Sequence, residues 1–400
     1  MSRTTVNITR VNRIRNIGDE GLTLAILTDV KYRGGKGEAG SATKITSVSS
    51  LYETFEPNTN KGMYQLVNAE YLLRSGVPIL VYIPNSPEDF TSTDAAYLQS
   101  IHDDEFNFVQ AVAPYEFLGE ELNLQILEGT IAKALNNPIS FYTDIDTSGP
   151  VFGYDDIKGY AEIKEDFDEA IGDIARAKLE VCVNSAAPTF NASANPGMSE
   201  LPDFGKDGYK GILGSSLLAA RKARLIMLGT PWLPVAGQAN GAVRDTGALL
   251  VRYTKAEKEA IQDLNMNLLT NKIGFGPLFV SQNTMYESEN KYDPLIRSHV
   301  VTEALWMKRV LEQIGEKYEF SLSLTKTADY LETELRKFYL DLYNKGGIEE
   351  PANIQVSIDD NKLIAYIAYL PIKAIEAIEI NVTLIDDTAD VVIGSDGGNL

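Results

Sequence analysis

Apolar residues between positions 19 and about 180 fall in short blocks whose spacing alternates between strand and helix. Leu22-Thr23-Leu24-Ala25-Ile26-Leu27 predicts a strand, closed by the Arg33-Gly34-Gly35-Lys36-Gly37 turn. Serines ahead of Leu51, Tyr52 and Phe55 predict a short amphipathic helix over 47–55, and 61–75 has helical spacing. Strands are expected at Val77–Ile83, Phe106–Val112, Ile139–Tyr142 and Leu179–Val183. Helices are expected at 122–135, ending at Asn136-Asn137-Pro138, and at 162–178, which is acidic. This alternation argues for a parallel or mixed α/β sheet.

The rest of the chain has a different rhythm. Residues 185–212 are rich in Ser, Ala, Asn, Pro and Gly and predict a loop or flap. Helices follow at 214–228 and 255–270, with the Thr230-Pro231-Trp232-Leu233-Pro234 turn between them, and then at 294–315 and 326–345. In the last of these, Ala328, Leu331, Leu335, Phe338 and Leu342 share one face, while Lys326, Lys337, Asp341 and Lys345 share the other. Gly346-Gly347 ends that helix, and strands are expected around Ile354/Val356/Ile358, at 363–370 and at Ile378/Ile380/Val382/Leu384.

The two ends carry opposite charge. The first 18 residues hold Arg3, Arg10, Arg13 and Arg15 and no acid, with Val6, Ile8, Val11 and Ile14 interleaved as in an extended strand. From Ala374 onward there are six acids, including Asp386 and Asp387, and no Lys or Arg. Solvated chain ends are one reading of this pattern. The other is a pair of arms that add strands to neighbouring copies, basic arm against acidic arm, and the strand-like patterning favours it.

Composition then removes most chemistry. With 36 Lys+Arg against 56 Asp+Glu, the net charge of −20 argues against nucleic acid or anionic lipid as the main partner. One cysteine, Cys182, excludes an internal disulfide and a thiolate metal cage, and two histidines disfavour a histidine-rich site. No apolar run approaches the roughly 20 residues of a membrane span, and no secretory leader is expected behind Met1. His102 and His299 have no catalytic neighbourhood, Gly-x-Ser-x-Gly is absent, and no phosphate loop appears. The nearest approach to a motif is Asp144, Asp146, Ser148 and Asp155, which copy the oxygen spacing of a calcium loop. The twelfth-position Asp and the preceding strand count against it, so the expectation is an Asx-rich turn, no cofactor and no catalytic residue. A chain without a site but with complementary strand-like ends reads as an assembling protein, and head-to-tail exchange of that kind favours an open helical array.

Two blocks carry a resemblance. The first runs from Gly21-Leu22-Thr23-Leu24-Ala25-Ile26-Leu27 through Thr46-Ser47-Val48-Ser49-Ser50-Leu51-Tyr52-Glu53-Thr54-Phe55 to Tyr71-Leu72-Leu73-Arg74-Ser75-Gly76-Val77-Pro78-Ile79-Leu80-Val81-Tyr82-Ile83. The second runs from Pro294-Leu295-Ile296-Arg297 through Lys317-Tyr318-Glu319-Phe320, helix 326–345 and Gly346-Gly347-Ile348 to the strands ending at Leu384. In order and spacing they resemble the contractile tail sheath proteins of phages and related injection devices. The chain departs from many sheaths at Asn271-Lys272-Ile273 and Ser281-Gln282-Asn283-Thr284, where those carry Asn-Pro-Ile and a Gly-x-Arg-Thr turn.

The resemblance implies an α/β outer domain plus an α+β inner C-terminal domain, with extended N- and C-terminal strand arms. The corresponding division is an arm over 1–18, an outer domain over 19–270, an inner domain over 271–384 and an acidic arm over 385–400. It further implies a helical homopolymer around a tail tube protein, capped by baseplate and tail terminator proteins, that contracts to drive the tube through a cell envelope. Such a particle would be a virion tail assembled in the host cytoplasm, with no membrane insertion and no direct contact with nucleic acid. The implied inter-subunit residues are Val6, Ile8, Arg10, Val11, Arg13 and Ile14 in one arm, and Ile378, Ile380, Val382, Leu384, Asp386, Asp387, Val391 and Ile393 in the other. Lys326, Lys337 and Lys345 are the implied tube-facing residues, against an ordinary solvated helix face. A bacteriocin-like or secretion-type sheath is a variant of this reading. An acidic α/β hydrolase with a calcium-binding loop is the rival of another class.

Overall fold

The structure is a computed structural model and describes residues 22–104, 106, 108–132, 139–146, 175–205, 209–290, 293–318, 324–359, 362–372, 381–383 and 392–394. Its centre is an eight-stranded mixed sheet. In chain order the strands are β1 (Leu22–Ile26), β3 (Ala42–Ile45), β5 (Ile79–Tyr82), β6 (Phe108–Phe117), β7 (Ser140–Asp144), β8 (Leu179–Val183), β12 (Asn267–Lys272) and β13 (Gly276–Phe279), while β2 (Val30–Tyr32) and β4 (Phe55–Pro57) pair with each other outside it. Their order across the sheet is β13-β12-β8-β7-β6-β1-β5-β3. The inner pairs are parallel, and β13 and β3 close the two edges antiparallel.

The pleat divides the apolar residues of each strand between two cores. Ala25, Ile79 and Val81 face one side, with helices α1 (Val48–Thr54), α2 (Asn60–Arg74) and α5 (Gly214–Met227). Leu22, Leu24, Ile26, Leu80 and Tyr82 face the other, with α3 (Ser92–Asp104), α4 (Glu121–Leu127) and α6 (Lys255–Asp263). Burial on both faces explains why these strands read as unbroken apolar runs. Local signals set the helix starts. Ser47 Oγ accepts the Ser50 amide at 3.1 Å while Ser50 Oγ accepts the Ser47 amide at 3.2 Å, a reciprocal cap for α1. Gly62 in α2 has no alternative, because a Cβ there would lie 2.0 Å from the Asp29 carbonyl oxygen.

Several expectations need correction. Helix 255–270 stops at Asp263; Asn265 takes a left-handed φ of 59°, and Asn267 then pairs with Cys182 as the first residue of β12. The apolar residues Met266, Leu268 and Leu269 continue the helical spacing of Ile261, yet they fill the sheet core. The boundary between 270 and 271 therefore falls inside a sheet strand, and the β12–β13 hairpin belongs with the residues before it. Residues 185–212 are not all loop: β9 (Ser185–Pro188) pairs with β10 (Ile212–Leu213) and with β11 (Thr246–Leu249). Helix 122–135 begins at Glu121 and widens at Glu128 into a π-helical stretch over 128–132, with 133–135 outside the described residues, and strand 106–112 extends to Phe117. Most of helix 162–178 lies outside the described residues.

After the sheet, α7 (Ser298–Glu316) and α8 (Leu324–Asn344) pack on the hairpin β14 (Asn353–Asp359)–β15 (Lys362–Ala368). Met307, Leu331, Leu335, Tyr339, Leu342, Ile348 and Ile354 form a third core with Trp232, so the Pro-rich turn after α5 is the dock for the C-terminal unit. Farther on, β16 (Asn381–Thr383) and β17 (Val392–Gly394) pair antiparallel. Mixed α/β content around a large sheet agrees with the expected fold class.

Candidate functional site

Doubly wound sheets bind ligands where strand order reverses, here at the carboxyl ends of β1 and β6. This chain closes that place with its own side chains. Glu116 accepts Lys61 Nζ at 2.7 Å and the Thr28 hydroxyl, while Gln65 Nε2 donates to Thr28 Oγ1 at 2.9 Å and to the Pro114 carbonyl at 3.0 Å. Asp29 Oδ2 takes the Gly62 amide at 2.8 Å. The crevice that would serve an enzyme is a satisfied, buried network.

The calcium-like spacing falls only partly on the described residues, and the two acids that are described make contacts within the chain. Asp144 is buried, and its Oδ1 accepts the Ser215 amide at 2.9 Å at the start of α5. Burial pushes its carboxyl up to about 7 against the opposing Ser215 hydrogen bonds. Asp146 is paired with Lys210 Nζ at 2.5 Å. Ser148 and Asp155 lie outside the described residues, and among those described no cluster of His, Cys, Asp or Glu could hold a metal ion. Cys182 is fully buried between Val181 and Val183.

A buried charged seam, which the sequence reading missed, joins the sheet to α7. Glu180 of β8, Lys222 of α5 and Glu303 of α7 are each at most 1% exposed. Glu180 accepts the Ser298 hydroxyl, which also accepts Gln282 Nε2 at 2.8 Å. Lys222 Nζ and both Glu303 carboxylate oxygens have no hydrogen-bond partner. Burial raises both Glu180 and Glu303, the latter to about 8, and lowers Lys222; attraction across the cluster opposes each shift. His299 is held down to about 4 by burial and then by Lys222. One cation therefore faces two carboxyls in a water-poor seam, and one carboxyl stays protonated near neutrality. The signals were present: Lys222 falls between Leu218 and Ile226 on the apolar stripe of α5, and Glu180 interrupts a fully buried strand. Arg309 fastens α7 farther along, donating to the Phe108 carbonyl at 2.7 Å and meeting His102.

The outer surface of the C-terminal unit is the candidate assembly surface. On α8, Leu331, Leu335, Tyr339 and Leu342 point into the third core, while Tyr330 (63% exposed), Leu340 and Tyr343 lie open. Arg336 ties the helix to the hairpin through the Ile354 carbonyl at 2.8 Å. On the hairpin, burial falls from Ile354 to Ile358, and Tyr366 is 62% exposed. The expected lysines lie on the exposed side of α8 and at its end, with Lys345 paired to Asp341 at 2.7 Å. Of the arm residues, Val382 sits opposite Ile393 in the β16–β17 pair. Val6, Ile8, Arg10, Val11, Arg13, Ile14, Ile378, Ile380, Leu384, Asp386, Asp387 and Val391 lie outside the described residues.

No family model matches the chain. A tail sheath protein of Vibrio phage KVP40 is 22% identical over 167 residues, which are 40% of this chain and 24% of that protein's length. Among solved structures, the contracted helical sheath of the anti-feeding prophage matches at TM-score 0.64 and 16% identity, covering 90% of this chain and 92% of that one. The contracted sheath complex of the extracellular contractile injection system PVC matches at 0.64 and 14% identity, over 97% and 99%. The chain has the contractile-sheath fold. A chain in the anti-feeding prophage baseplate matches at TM-score 0.69 and 14% identity, over 92% and 94%. The sheath fold thus spans nearly all of this chain and of those chains, and it lends no support to the hydrolase alternative.

Proposed function

We propose that the chain is the structural subunit of a contractile sheath, polymerising as a helical tube around an inner tube and contracting to drive that tube through a target envelope. The observation that carries the reading is the sheath fold matched end to end against subunits of two contracted sheath assemblies. The closed switch-point crevice and the exposed apolar residues of α8 and β14–β15 agree with a role in assembly rather than turnover. In this reading, residues 1–18 and 374–400 knit neighbouring copies by strand addition, in which backbone hydrogen bonds bind and opposite charge steers. Lys326, Lys337 and Lys345 face the inner tube, and terminal copies meet baseplate and terminator proteins. The particle is a phage tail assembled in the host cytoplasm; a capsid gene beside this one separates it from a bacteriocin-like or secretion device.

The test is sedimentation and negative-stain electron microscopy of the full-length chain beside a chain lacking residues 1–18. Uniform hollow tubes that pellet, and that disappear on truncation, are the expected result. Tubes that survive truncation would remove the arm, and a full-length chain that stays monomeric at every concentration would count against the sheath itself.

A further inference from the structure

Helices α2 and α5 lie side by side on the sheet, and a cavity of about 210 Å³ opens between them near the end of α2. Arg74, Arg221, Arg224 and Arg244 line it, with Asp245 as the one carboxylate of the lining. Arg74 is already neutralised, donating Nε and Nη2 to Glu70 Oε1 at 2.9 and 2.7 Å. Among the described residues the other three have no ion pair. Arg221 gives Nε and Nη2 to the Asn240 carbonyl at 3.2 and 2.9 Å, and Arg224 gives Nη1 to the Ser75 carbonyl at 3.2 Å. Arg244 is exposed, and its guanidinium has no hydrogen-bond partner among the described residues. Half-buried Arg221 is disfavoured as a cation by its burial and by its like-charged neighbours Arg244 and Arg224. Three convergent guanidiniums beside a single lining carboxylate, Asp245, leave an excess of positive charge and form a ready-made oxyanion receptor. In a chain of net charge −20, such a concentration of unpaired cations calls for a ligand.

The chain carries a matching anion. The eight residues joining β16 to β17, 384–391, contain Asp386, Asp387 and Asp390 and no Lys or Arg. We propose that the arginine pocket between α2 and α5 receives the Asp386–Asp387–Asp390 connection of a second copy of this chain. The cavity has room for carboxylate side chains but not for a strand, so the acidic side chains enter it while β16 and β17 on either side remain available for backbone pairing. This inference rests on self-assembly of the chain and not on the formation of a contractile tube.

The test is fluorescence anisotropy of a labelled peptide of residues 381–394 against dilute full-length chain and against its Arg221→Gln/Arg244→Gln variant, with thermal melts to verify folding. The expected result is binding at least tenfold weaker in the variant, and equally weakened when the peptide carries Asp386→Asn and Asp387→Asn. Phosphate should compete no better than chloride at matched ionic strength. Equal binding to both proteins, or none to either, overturns the proposal. Displacement by millimolar phosphate at matched ionic strength also overturns it and makes the pocket a phosphate site. Arginine-dependent binding in a chain that forms no tubes would uphold the pocket and refute the sheath; normal tubes from a variant that binds no peptide would do the reverse.

Discussion

The sheet body and the C-terminal unit bury apolar surface in different ways. In the body, successive residues of β1 and β5 enter opposite cores, each roofed by helices, so both faces of the sheet are dry. In the C-terminal unit, α8 and a two-stranded hairpin share a single core, and Tyr330, Leu340, Tyr343, Ile358, Tyr366 and Leu370 remain open to solvent. A two-stranded hairpin is marginal without further cover, and these six exposed side chains cluster on one helix and one hairpin, whereas the body's exposed Met227, Leu228, Ile273 and Phe275 lie at the end of α5 and in the β12–β13 turn. The body thus covers both faces of its sheet, and the unit covers one side of its hairpin. Between them, beside the apolar dock at Trp232, lies the seam of Glu180, Lys222 and Glu303.

The largest effect is expected at that seam. Lys222→Met leaves two buried carboxyls without a cation and should cost about 3–5 kcal/mol in a denaturant melt. Adding Glu303→Leu should recover a large part of the loss. No recovery would mean that the two side chains do not share one electrostatic site.

Leu335→Ala, inside the third core at 2% exposure, should cost about 2–4 kcal/mol. Hydrogen exchange should show the loss concentrated in 298–372, with protection of β1 and β5 retained. Equal loosening of β1 would erase the distinction between body and unit.

The pH dependence follows from the seam and Asp144. The raised carboxyls of Asp144, Glu180 and Glu303 bind protons in the folded chain that the unfolded chain has already released, so stability falls as pH rises toward their folded values. His299, held down to about 4, acts in the opposite sense between that value and its ordinary pKa of about 6.5. From about pH 6.5 to 7.5 the carboxyls dominate and the melting temperature should decline; toward pH 8 and above Lys222, lowered to about 8, acts in the opposite sense. Glu303→Gln should flatten that decline by about 1–2 kcal/mol; an unchanged slope would place its proton elsewhere.

Tyr366→Ser should change the melt of the unassembled chain least, by about 0.5 kcal/mol or less. It should nonetheless reduce pelleting of assembled material. A variant that pellets like the parent would show that the hairpin is not covered by neighbours.

Much of both parts was legible because the signals are local. Ser47 caps α1 as its position announces, Gly346 ends α8 with a φ of 71°, and the apolar face of α8 packs inward. The start of β12 was not legible, because Met266–Leu269 prolong the spacing of the preceding helix and only pairing with β8 makes them a strand. Lys222 was only half legible: its place between Leu218 and Ile226 marks it as buried, but its partners Glu180 and Glu303 come from distant segments. The arginine pocket likewise needs three separate pieces of chain to meet. Asp144 ran the other way, a motif-like residue whose oxygen turned out to serve a helix start.

The most direct measurement is cryo-electron microscopy of tubes formed by the full-length chain. The account predicts a helical array in which the β14–β15 hairpin and the exposed side of α8 are buried between copies, with the arginine pocket between α2 and α5 as the sheet body's share of the contact. An array that leaves Tyr330 and Tyr366 facing solvent would contradict it.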